Sequence, residues 1–231
     1  MEMEMKKLVL LALTALVAVP VFAQDEESNR VYTSSSGKAF IELVDHIGYG
    51  YHFIQSNDFT PAWSGELCLN LVKFGIRPAD VLGIDLGIDL GMSNFSSTQN
   101  AFTQVNQLIK ATSFDLFAEG SLDRKRSGFN VYSLNAPVIL KGIFGKFELG
   151  AGAVASWNFA GETTLMYRKD NVRANIEEVK AKVNPFTYCF LATASLDDFG
   201  VYFKYYPKSS KLLPEGSVDL SYMTLGLVIG F

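Results

Sequence analysis

Long hydrophobic runs are almost absent from this sequence of 231 residues. Past the first two dozen positions, no apolar stretch reaches the roughly 20 residues that a membrane-spanning helix needs, although 48% of the residues are hydrophobic. No spanning helix is therefore predicted there. An excess of positive charge is missing as well, since the formal net charge is −4. A nucleic-acid-binding protein would favour a basic surface, so we expect no nucleic-acid partner.

Residues that carry catalysis or bind metals are scarce too. The chain has two His and two Cys, and no Ser–His–acid pattern stands out. His46 and His52 lie six residues apart on one predicted strand, which would separate them by about 20 Å. That distance is too long for both to bind one metal ion. We expect no enzyme activity, no metal site and no cofactor.

The first 23 residues have the three parts of a secretory signal peptide. Two lysines precede the apolar segment Leu8–Val19, and Val21–Ala23 then provides small residues for cleavage before Gln24. About a dozen apolar residues cannot span a bilayer, so we expect cleavage and export. No cysteine follows the cleavage site, so a lipid anchor is not expected. The polar, Ser-rich residues 24–38 are predicted to form a mobile tail.

From residue 39 onward, apolar and polar residues alternate with a period of two, which is typical of strands with one apolar face. In the run from Leu82 to Ser93, Leu, Ile and Met take the even positions and Gly, Asp and Ser the odd ones. A soluble sandwich would alternate in the same way. However, glycine, small residues and isolated charges on the polar face are typical of a crowded barrel lumen. The pattern favours a transmembrane β-barrel.

The alternating segments predict eight antiparallel strands in an up-and-down barrel over residues 39–231. Their predicted bounds are Ala39–Ile54, Ala62–Ile76, Val81–Phe95, Gly128–Gly142, Lys146–Phe159, Asn184–Leu196, Phe199–Tyr206 and Ser217–Phe231. The connections alternate between long and short, as in membrane barrels with brief periplasmic turns and longer external loops. An even number of strands places both termini on the periplasmic side.

Aromatic residues mark the ends of the apolar face, as in the girdles at membrane interfaces. They are Tyr49, Tyr51, Phe53, Trp63, Phe95, Trp157, Phe159, Phe186 and Tyr188. Two points stay open. Residues 96–127, with Phe114, Leu116 and Ala118, either prolong the neighbouring strands or form a hairpin that raises the count to ten strands. Asp45 falls on the lipid face, which requires a position below the hydrocarbon or a shift of register.

The last eight residues begin with Thr224, have a glycine two positions later and end in an aromatic residue. This arrangement resembles the β-signal that the barrel-assembly machinery reads, and edge-strand pairing is the physical basis for such reading. We therefore predict an assembly signal at Thr224, Gly226, Ile229 and Phe231. An ordinary terminal strand that ends in Phe is the alternative.

The mature chain resembles the small outer-membrane β-barrels (porin-like, OmpA/OmpX-type) of Bacteroidota. The resemblance rests on Asn135–Lys141, in which proline is followed by aliphatic residues and lysine, on the Gly/Ala-rich Phe147–Ala155, and on the terminal strand. It implies an all-β barrel in the outer membrane of a Gram-negative-type bacterium. Outer-membrane lipids and the assembly machinery are the implied partners. Members of such a family rarely share one biochemical role, so no activity follows.

By alternation, the lumen would receive His46, His52 and eight charged residues: Glu42, Glu66, Asp85, Asp89, Lys141, Lys146, Glu148 and Lys204. An eight-stranded barrel has room inside only for side chains, so a lumen plugged by charge pairs is favoured over a narrow polar channel. Cys68 and Cys189 would face inward from strands four apart. Opposite walls are too distant for a disulfide, so we predict free thiols.

These expectations favour a non-enzymatic outer-membrane barrel with a structural or surface-interaction role. The external loops at residues 96–127 and 160–183 would carry that role, because loops on a rigid scaffold are where function varies. A narrow channel for small solutes and an accessory barrel of a secretion system are the alternatives. The sequence names no surface ligand.

Overall fold

The computed structural model describes residues 30–34, 38–114, 123–169 and 172–230. The predicted signal peptide (1–23), residues 24–29 of the predicted tail and Phe231 lie outside these residues, as do Leu116 and Ala118. The elements of the described part are all β-strands. No helix within these ranges has the length and apolar character needed to cross a membrane.

Thirteen strands occur in the described residues. They are β1 (Arg30–Thr33), β2 (Ala39–Leu43), β3 (His46–Gln55), β4 (Gly65–Ala79), β5 (Leu82–Ser97), β6 (Asn100–Val105), β7 (Leu108–Ser113), β8 (Asp123–Phe144), β9 (Phe147–Lys169), β10 (Val172–Lys180), β11 (Phe186–Leu196), β12 (Phe199–Tyr205) and β13 (Ser221–Gly230).

Eight strand positions close into an antiparallel ring. Starting from β4, the neighbours are β5, β8, β9, β11, β12, β13 and β3, and β3 pairs back with β4. β2 and β3 share the first position, because both pair with β4. The predicted eight-stranded up-and-down barrel is therefore confirmed, and the ten-stranded alternative is not the one adopted.

The first ring position is interrupted at Val44, whose backbone is left-handed with φ of 51°. Pairing of Ala39 with Ile76 in β2 and of Ile47 with Leu69 in β3 shows that the register slips by one residue. The slip brings Asp45 to the wall of a lumen cavity, with its Oδ1 2.5 Å from Nζ of Lys73. A shift of register, the second of the two explanations considered for Asp45, is therefore confirmed.

The two ends of the barrel differ in their connections. Two-residue turns at Asp80–Val81, Gly145–Lys146 and Asp197–Asp198 lie at one end, which we call the turn end. The longer connections lie at the opposite, loop end, and their described parts are residues 56–64, 98–114, 172–185 and 206–220. The predicted alternation of short and long connections is confirmed.

The outer wall of the ring is apolar all the way round. Every ring position presents large exposed apolar side chains, among them Tyr49, Phe74, Leu86, Leu140, Leu149, Phe190, Phe203 and Leu227. Exposure of so large a continuous apolar surface to water is unfavourable, whereas contact with the hydrocarbon of a bilayer is favourable. The fold is that of a transmembrane β-barrel.

One member of the predicted aromatic girdle lies on the other side of the wall. Phe95 is fully buried inside the barrel, whereas Trp157 and Phe186 are at least half exposed on the outside. Along β5 the odd-numbered residues face inward, and Phe95 continues that odd series. Its assignment to the lipid face was therefore wrong, because strict alternation along β5 already places the odd-numbered Phe95 in the lumen.

The loop end carries strands that are not part of the ring. β6 and β7 form a separate hairpin, whose turn residues Asn106 and Gln107 both have the positive φ of a type I′ turn. β8 and β9 contain 22 and 23 residues, more than the 9–11 or so that cross a bilayer. They continue beyond the membrane, where β10 pairs with β9.

A further strand lies in the predicted N-terminal tail. β1 pairs with β2, with Thr33 opposite Phe40. The pairing of β13 with β3 ends at His46. Beyond that point, toward the turn end, β1 pairs with β2, which shares the first ring position with β3. Part of the segment expected to be mobile is therefore ordered at the seam of the barrel.

Candidate functional site: the barrel lumen

The centre of the lumen holds an ion pair that crosses the barrel. Nζ of Lys204 on β12 lies 2.5 Å from Oε1 of Glu66 on β4, and both side chains are at most 10% exposed. Tyr206 donates a hydrogen bond of 3.4 Å to the second oxygen of Glu66. Cys68 lies beside the pair, with Sγ 3.5 Å from Nζ of Lys204. These contacts connect two parts of the wall that are three ring positions apart.

His52 lies next to this pair on the loop-end side. Its Nδ1 and Oγ1 of Thr224 are hydrogen-bonded at 2.8 Å, and both residues are almost completely buried. The imidazole ring stacks on Phe95 with a centroid separation of 4.9 Å and meets Tyr222 edge-on. Both His52 and Thr224 are therefore part of the packed interior. His46 lies at the turn end and contacts Asp45 at 2.8 Å, so the two histidines do not act together.

The Tyr202 side chain of β12 packs against glycines of β13 and β3. A Cβ atom at Gly226 would overlap the Tyr202 ring, and one at Gly50 would overlap its hydroxyl group. Gly48 is different, because the nearest atom to a Cβ there is 3.4 Å away. Glycine at 50 and 226 is therefore required by the close approach of this aromatic side chain.

A cavity of about 340 Å³ occupies the turn-end half of the lumen. We call it the turn-end cavity, and its lining includes Glu42, Asp45, Asp85, Asp89, Lys73, Lys141, Glu148, Asp197 and Asp198. Lining by the turn residues Asp197 and Asp198 indicates that it opens at that end. The plug prediction assumed that side chains fill the whole interior. In the turn-end half they do not.

Ion pairs occupy much of the cavity wall. Lys73 contacts both Glu42 at 2.6 Å and Asp45 at 2.5 Å. Lys141 lies 2.8 Å from Asp85 and 2.9 Å from Glu148. Arg77 is a second partner of Asp85, at 2.6 Å. Charge pairing, the physical reason given for the predicted plug, does occur here, but it lines an open space.

Asp89 is the exception among these carboxylates. Its Oδ1 accepts a hydrogen bond of 2.7 Å from the amide of Asn70, and the residue is 9% exposed. Within the described ranges, no lysine, arginine or histidine forms an ion pair with it. A buried carboxylate without a cationic partner is unusual, because desolvation of a charge is costly.

The structure places seven of the eight predicted lumen charges inside the barrel, at the centre or on the cavity wall. Lys146 is the one that differs. It lies in the Gly145–Lys146 turn, its side chain is 78% exposed, and its Nζ is 2.9 Å from Asp197. Alternation assigned it inward because the predicted strand began one residue before β9.

The loop end of the lumen is closed by an apolar cluster that the sequence analysis missed. The loop-end cluster consists of Phe59, Phe95, Phe102, Ile109, Phe129, Val131, Leu212, Leu213, Val218 and Tyr222, all less than 9% exposed. Phe95 stacks on Phe129 at 4.8 Å, and Phe102 meets Phe129 edge-on at 5.2 Å. Ala181 and Val183 pack against it, so all four loop-end connections contribute.

Little space remains between this cluster and the central ion pair. A cavity of about 20 Å³ lies there, lined by small polar residues such as Ser133, Asn135 and Asn158. That volume holds about one water molecule. Within the part of the chain that the structure describes, the lumen is thus open at the turn end and closed at the loop end.

Both cysteines are free and buried, as predicted. Cys68 is on β4 and Cys189 on β11, which are four positions apart in the ring of eight. Cys68 lines the turn-end cavity. Cys189 packs with Val154, Leu191 and Tyr202.

Fold and lumen together define the class: a small transmembrane β-barrel with a closed loop end. No family model matches the chain, and no curated protein matches it. Among solved structures it is similar to Ail, the attachment invasion locus protein of Yersinia pestis, crystallised with the heparin analogue sucrose octasulfate. Identity to Ail is 14%, over 84% of this chain and 98% of that chain, with a TM-score of 0.39.

A second similar structure is Neisserial surface protein A (NspA). Identity is 11%, over 84% of this chain and 97% of that chain, with a TM-score of 0.35. Similarities at this level carry no argument about activity. The strand pairing within this chain itself gives the small-barrel fold that the resemblance implied.

Proposed function

We propose that the protein is a non-enzymatic outer-membrane barrel that presents a rigid interaction surface at its loop end. The observation that carries this proposal is the loop-end cluster, to which all four loop-end connections contribute. One shared apolar core fixes these segments relative to each other and to the barrel wall. A surface ordered before binding loses less conformational entropy when a partner docks.

Hydrogen bonds hold the β6–β7 hairpin in the same way. The backbone N–H of Phe102 donates to Oγ of Ser127 at 2.9 Å, and the Gln104 amide donates to Thr163 at 3.0 Å. On its other side, Val218 donates to the carbonyl of Ile109 at 2.9 Å. The hairpin therefore bridges the β8–β9 ribbon and the last connection, and loops on such a scaffold are where binding function is concentrated.

The proposal includes the outer membrane as location and the barrel-assembly machinery as the inserting partner. On β13, Thr224 faces the lumen whereas Ile229 is 45% exposed on the outer wall. Together with Gly226 and Phe231 they form the proposed assembly signal. Main-chain pairing would give affinity for the strand and alternate side chains the specificity.

Lysine labelling on intact cells tests the orientation. A membrane-impermeant amine reagent is expected to modify Lys180, Lys182, Lys208 and Lys211, which are exposed at the loop end. Lys146, exposed at the turn end, is expected to react only after the cells are opened. The reverse pattern, or recovery of the protein in the soluble periplasm, would contradict the proposed display.

Planar-bilayer recording of the purified protein tests the function. A lumen closed at the loop end is expected to give no reproducible conductance. Steady, ion-selective conductance would favour the narrow channel instead, and consistent co-purification with secretion components would favour an accessory role in secretion. For surface binding, vesicles carrying the protein are compared with empty vesicles on arrays of glycans and matrix proteins. Equal signals would count against an interaction surface.

A further inference from the structure

We propose that one sector of the barrel's loop end binds the headgroup of a membrane lipid that carries an anionic phosphate. The acyl chains of this lipid lie against the outer wall directly below. We call the sector the lysine rim, and it consists of Lys182, Lys208 and Lys211. The inference rests on the proposed insertion in the outer membrane, and it does not depend on a ligand at the loop-end surface.

Hydrogen bonds fix the height of the lysine rim on the barrel. The connection that follows β12 contacts the start of β11, where Oγ of Ser210 accepts a bond of 2.6 Å from the backbone N–H of Tyr188. The hydroxyl groups of Ser209 and Tyr188 are also hydrogen-bonded, at 2.6 Å. Lys208 and Lys211 flank this pair of serines in the chain, and both lysines are exposed. They therefore lie at the level of the Tyr188 hydroxyl group.

Tyr188 belongs to an aromatic part of the outer wall. Its ring is 42% exposed, and Trp157, Phe186 and Phe190 on the same face of β9 and β11 are at least half exposed. Phe186 and Trp157 are direct partners across the two strands. Tyrosine and tryptophan mark the interface between membrane and water. A lysine beside the Tyr188 hydroxyl can thus lay its apolar stem along the wall and hold its amino group among the lipid phosphates.

Lys182 joins the same sector from a second connection. Two residues after it, the Asn184 side chain donates a hydrogen bond of 2.7 Å to the carbonyl oxygen of Lys211, so the two connections are held together. Among the residues whose side chains the structure describes, no carboxylate forms an ion pair with Lys182, Lys208 or Lys211. Three exposed cations on two hydrogen-bonded segments favour an anionic partner at the membrane surface.

The other side of the ring has the opposite charge at this end. Asp58 precedes β4, its Oδ2 accepts the backbone N–H of Asp219, and both residues are exposed. β4 and β11 are four positions apart in the ring of eight. A negative headgroup is therefore attracted to the β11 side and repelled from the β4 side. A free phosphate ion would meet the same lysines, but the lipid-facing aromatic wall directly below them favours an occupant with acyl chains.

The two tryptophans of the chain can report on the two sides separately. Trp157 lies on β9 next to the proposed lipid, whereas Trp63, 60% exposed just before β4, is three ring positions away. The full mature protein is folded into phosphatidylcholine vesicles as Trp63→Phe and as Trp157→Phe, so that one tryptophan remains in each. Lipids with brominated acyl chains quench tryptophan on contact. Brominated phosphatidic acid is compared with brominated phosphatidylcholine at equal content.

At Trp157, we expect phosphatidic acid to be preferred over phosphatidylcholine by at least about fivefold, since one basic residue near the membrane surface contributes about that factor. At Trp63, no preference is expected. The double variant Lys208→Gln/Lys211→Gln is expected to remove the preference at Trp157.

Lys110→Gln/Arg126→Gln is the matched control, because it removes two exposed charges at the same end. Lys110 lies on the β6–β7 hairpin, where its amino group donates to the carbonyl of Gly216. Arg126 lies past Ser127, where the pairing of β8 with β5 ends. The lipid preference at Trp157 in this control is expected to equal that of the unchanged lysine rim.

Heat-modifiable gel mobility confirms that each variant is folded. Equal preference at both tryptophans, or an unchanged preference in Lys208→Gln/Lys211→Gln, would overturn the proposal. Inorganic phosphate and sodium chloride are then compared at equal ionic strength, and equal effects are expected. If phosphate alone abolishes the preference, the lysines bind the free ion and not a lipid, which also overturns the proposal. Absence of quenching by either lipid would contradict the membrane location itself, whereas equal quenching by both contradicts only the lysine rim.

Discussion

Lys204 and Glu66 are joined across the lumen, with Nζ and Oε1 2.5 Å apart, although two ring strands lie between β12 and β4 on the shorter way round. A pair of this kind holds two non-adjacent strands at a fixed separation across the lumen. Removal of one partner leaves the other as a buried, uncompensated charge, which is more costly than loss of the whole pair.

We therefore expect Lys204→Met to destabilise the barrel by about 3–5 kcal/mol. The double variant Glu66→Gln/Lys204→Met is expected to recover a large part of that loss, because no unpaired charge remains. Guanidinium unfolding in lipid vesicles, followed by tryptophan fluorescence, measures both. Lys146→Met is the control, because its ion pair is exposed and worth at most about 1 kcal/mol. A double variant no more stable than Lys204→Met would contradict this account.

Gly226 provides a second test, since a Cβ there would overlap the Tyr202 ring. Gly226→Ala is expected to cost about 1–3 kcal/mol through overpacking. Gly48→Ala should be tolerated, because its nearest neighbour would be 3.4 Å away. In the background of Tyr202→Leu, the cost of Gly226→Ala is expected to disappear. If Gly226→Ala still impairs insertion into the membrane in the Tyr202→Leu background, Gly226 matters to the assembly machinery and not to packing.

The loop-end cluster predicts how the hairpin responds to loss of one aromatic ring. Phe95 is fully buried, so Phe95→Ala should destabilise the protein by about 3–5 kcal/mol. Weaker packing also raises the population of the locally opened hairpin. Limited trypsin digestion should then cleave after Lys110 on β7 in the variant and spare this site in the wild type. Cleavage at equal rates would show that the hairpin is not held by the cluster.

The two free thiols should differ in accessibility. Cys68 lines the turn-end cavity, whereas Cys189 is 1% exposed among Val154, Leu191 and Tyr202. Iodoacetamide is expected to modify Cys68 before Cys189 in the folded protein. Mass spectrometry of peptides gives the two rates, and Cys68→Ser provides the background for Cys189 alone. Faster modification of Cys189 would mean that the cavity does not reach β4 as described.

The alternation of polar and apolar residues predicted the ring well. Along each strand, positions that face the lumen alternate with positions that face lipid, so both environments select residue types with a period of two. All eight predicted strands correspond to ring positions, with ends that differ by a few residues or, for β8 and β9, extend well beyond. The break at Val44 could not be located, since a left-handed residue there follows from tertiary pairing and not from a local glycine. The β6–β7 hairpin was considered only as two more wall strands.

The lumen shows where inference from the sequence stops. The alternation along each strand places Glu66 and Lys204 inward. Which residues meet across the barrel depends on the stagger between strands. The pairing of Lys204 with Glu66 is therefore a property of the three-dimensional stagger and not of the alternation. The loop-end cluster was missed because Phe59, Phe102 and Leu212 lie in connections, where no periodicity marks them as buried.

The seam between β3 and β13 has a consequence for folding. His52 and Thr224 meet there across a sequence separation of 172 residues, while most other ring pairs are joined by hairpins. Loop-closure entropy makes such a contact late, and β3 and β13 keep unpaired edges until it forms. Edges of that kind invite pairing between chains. The lifetime of the state in which β3 and β13 are not yet paired, more than the stability of the closed barrel, would then decide how much of this protein aggregates before insertion.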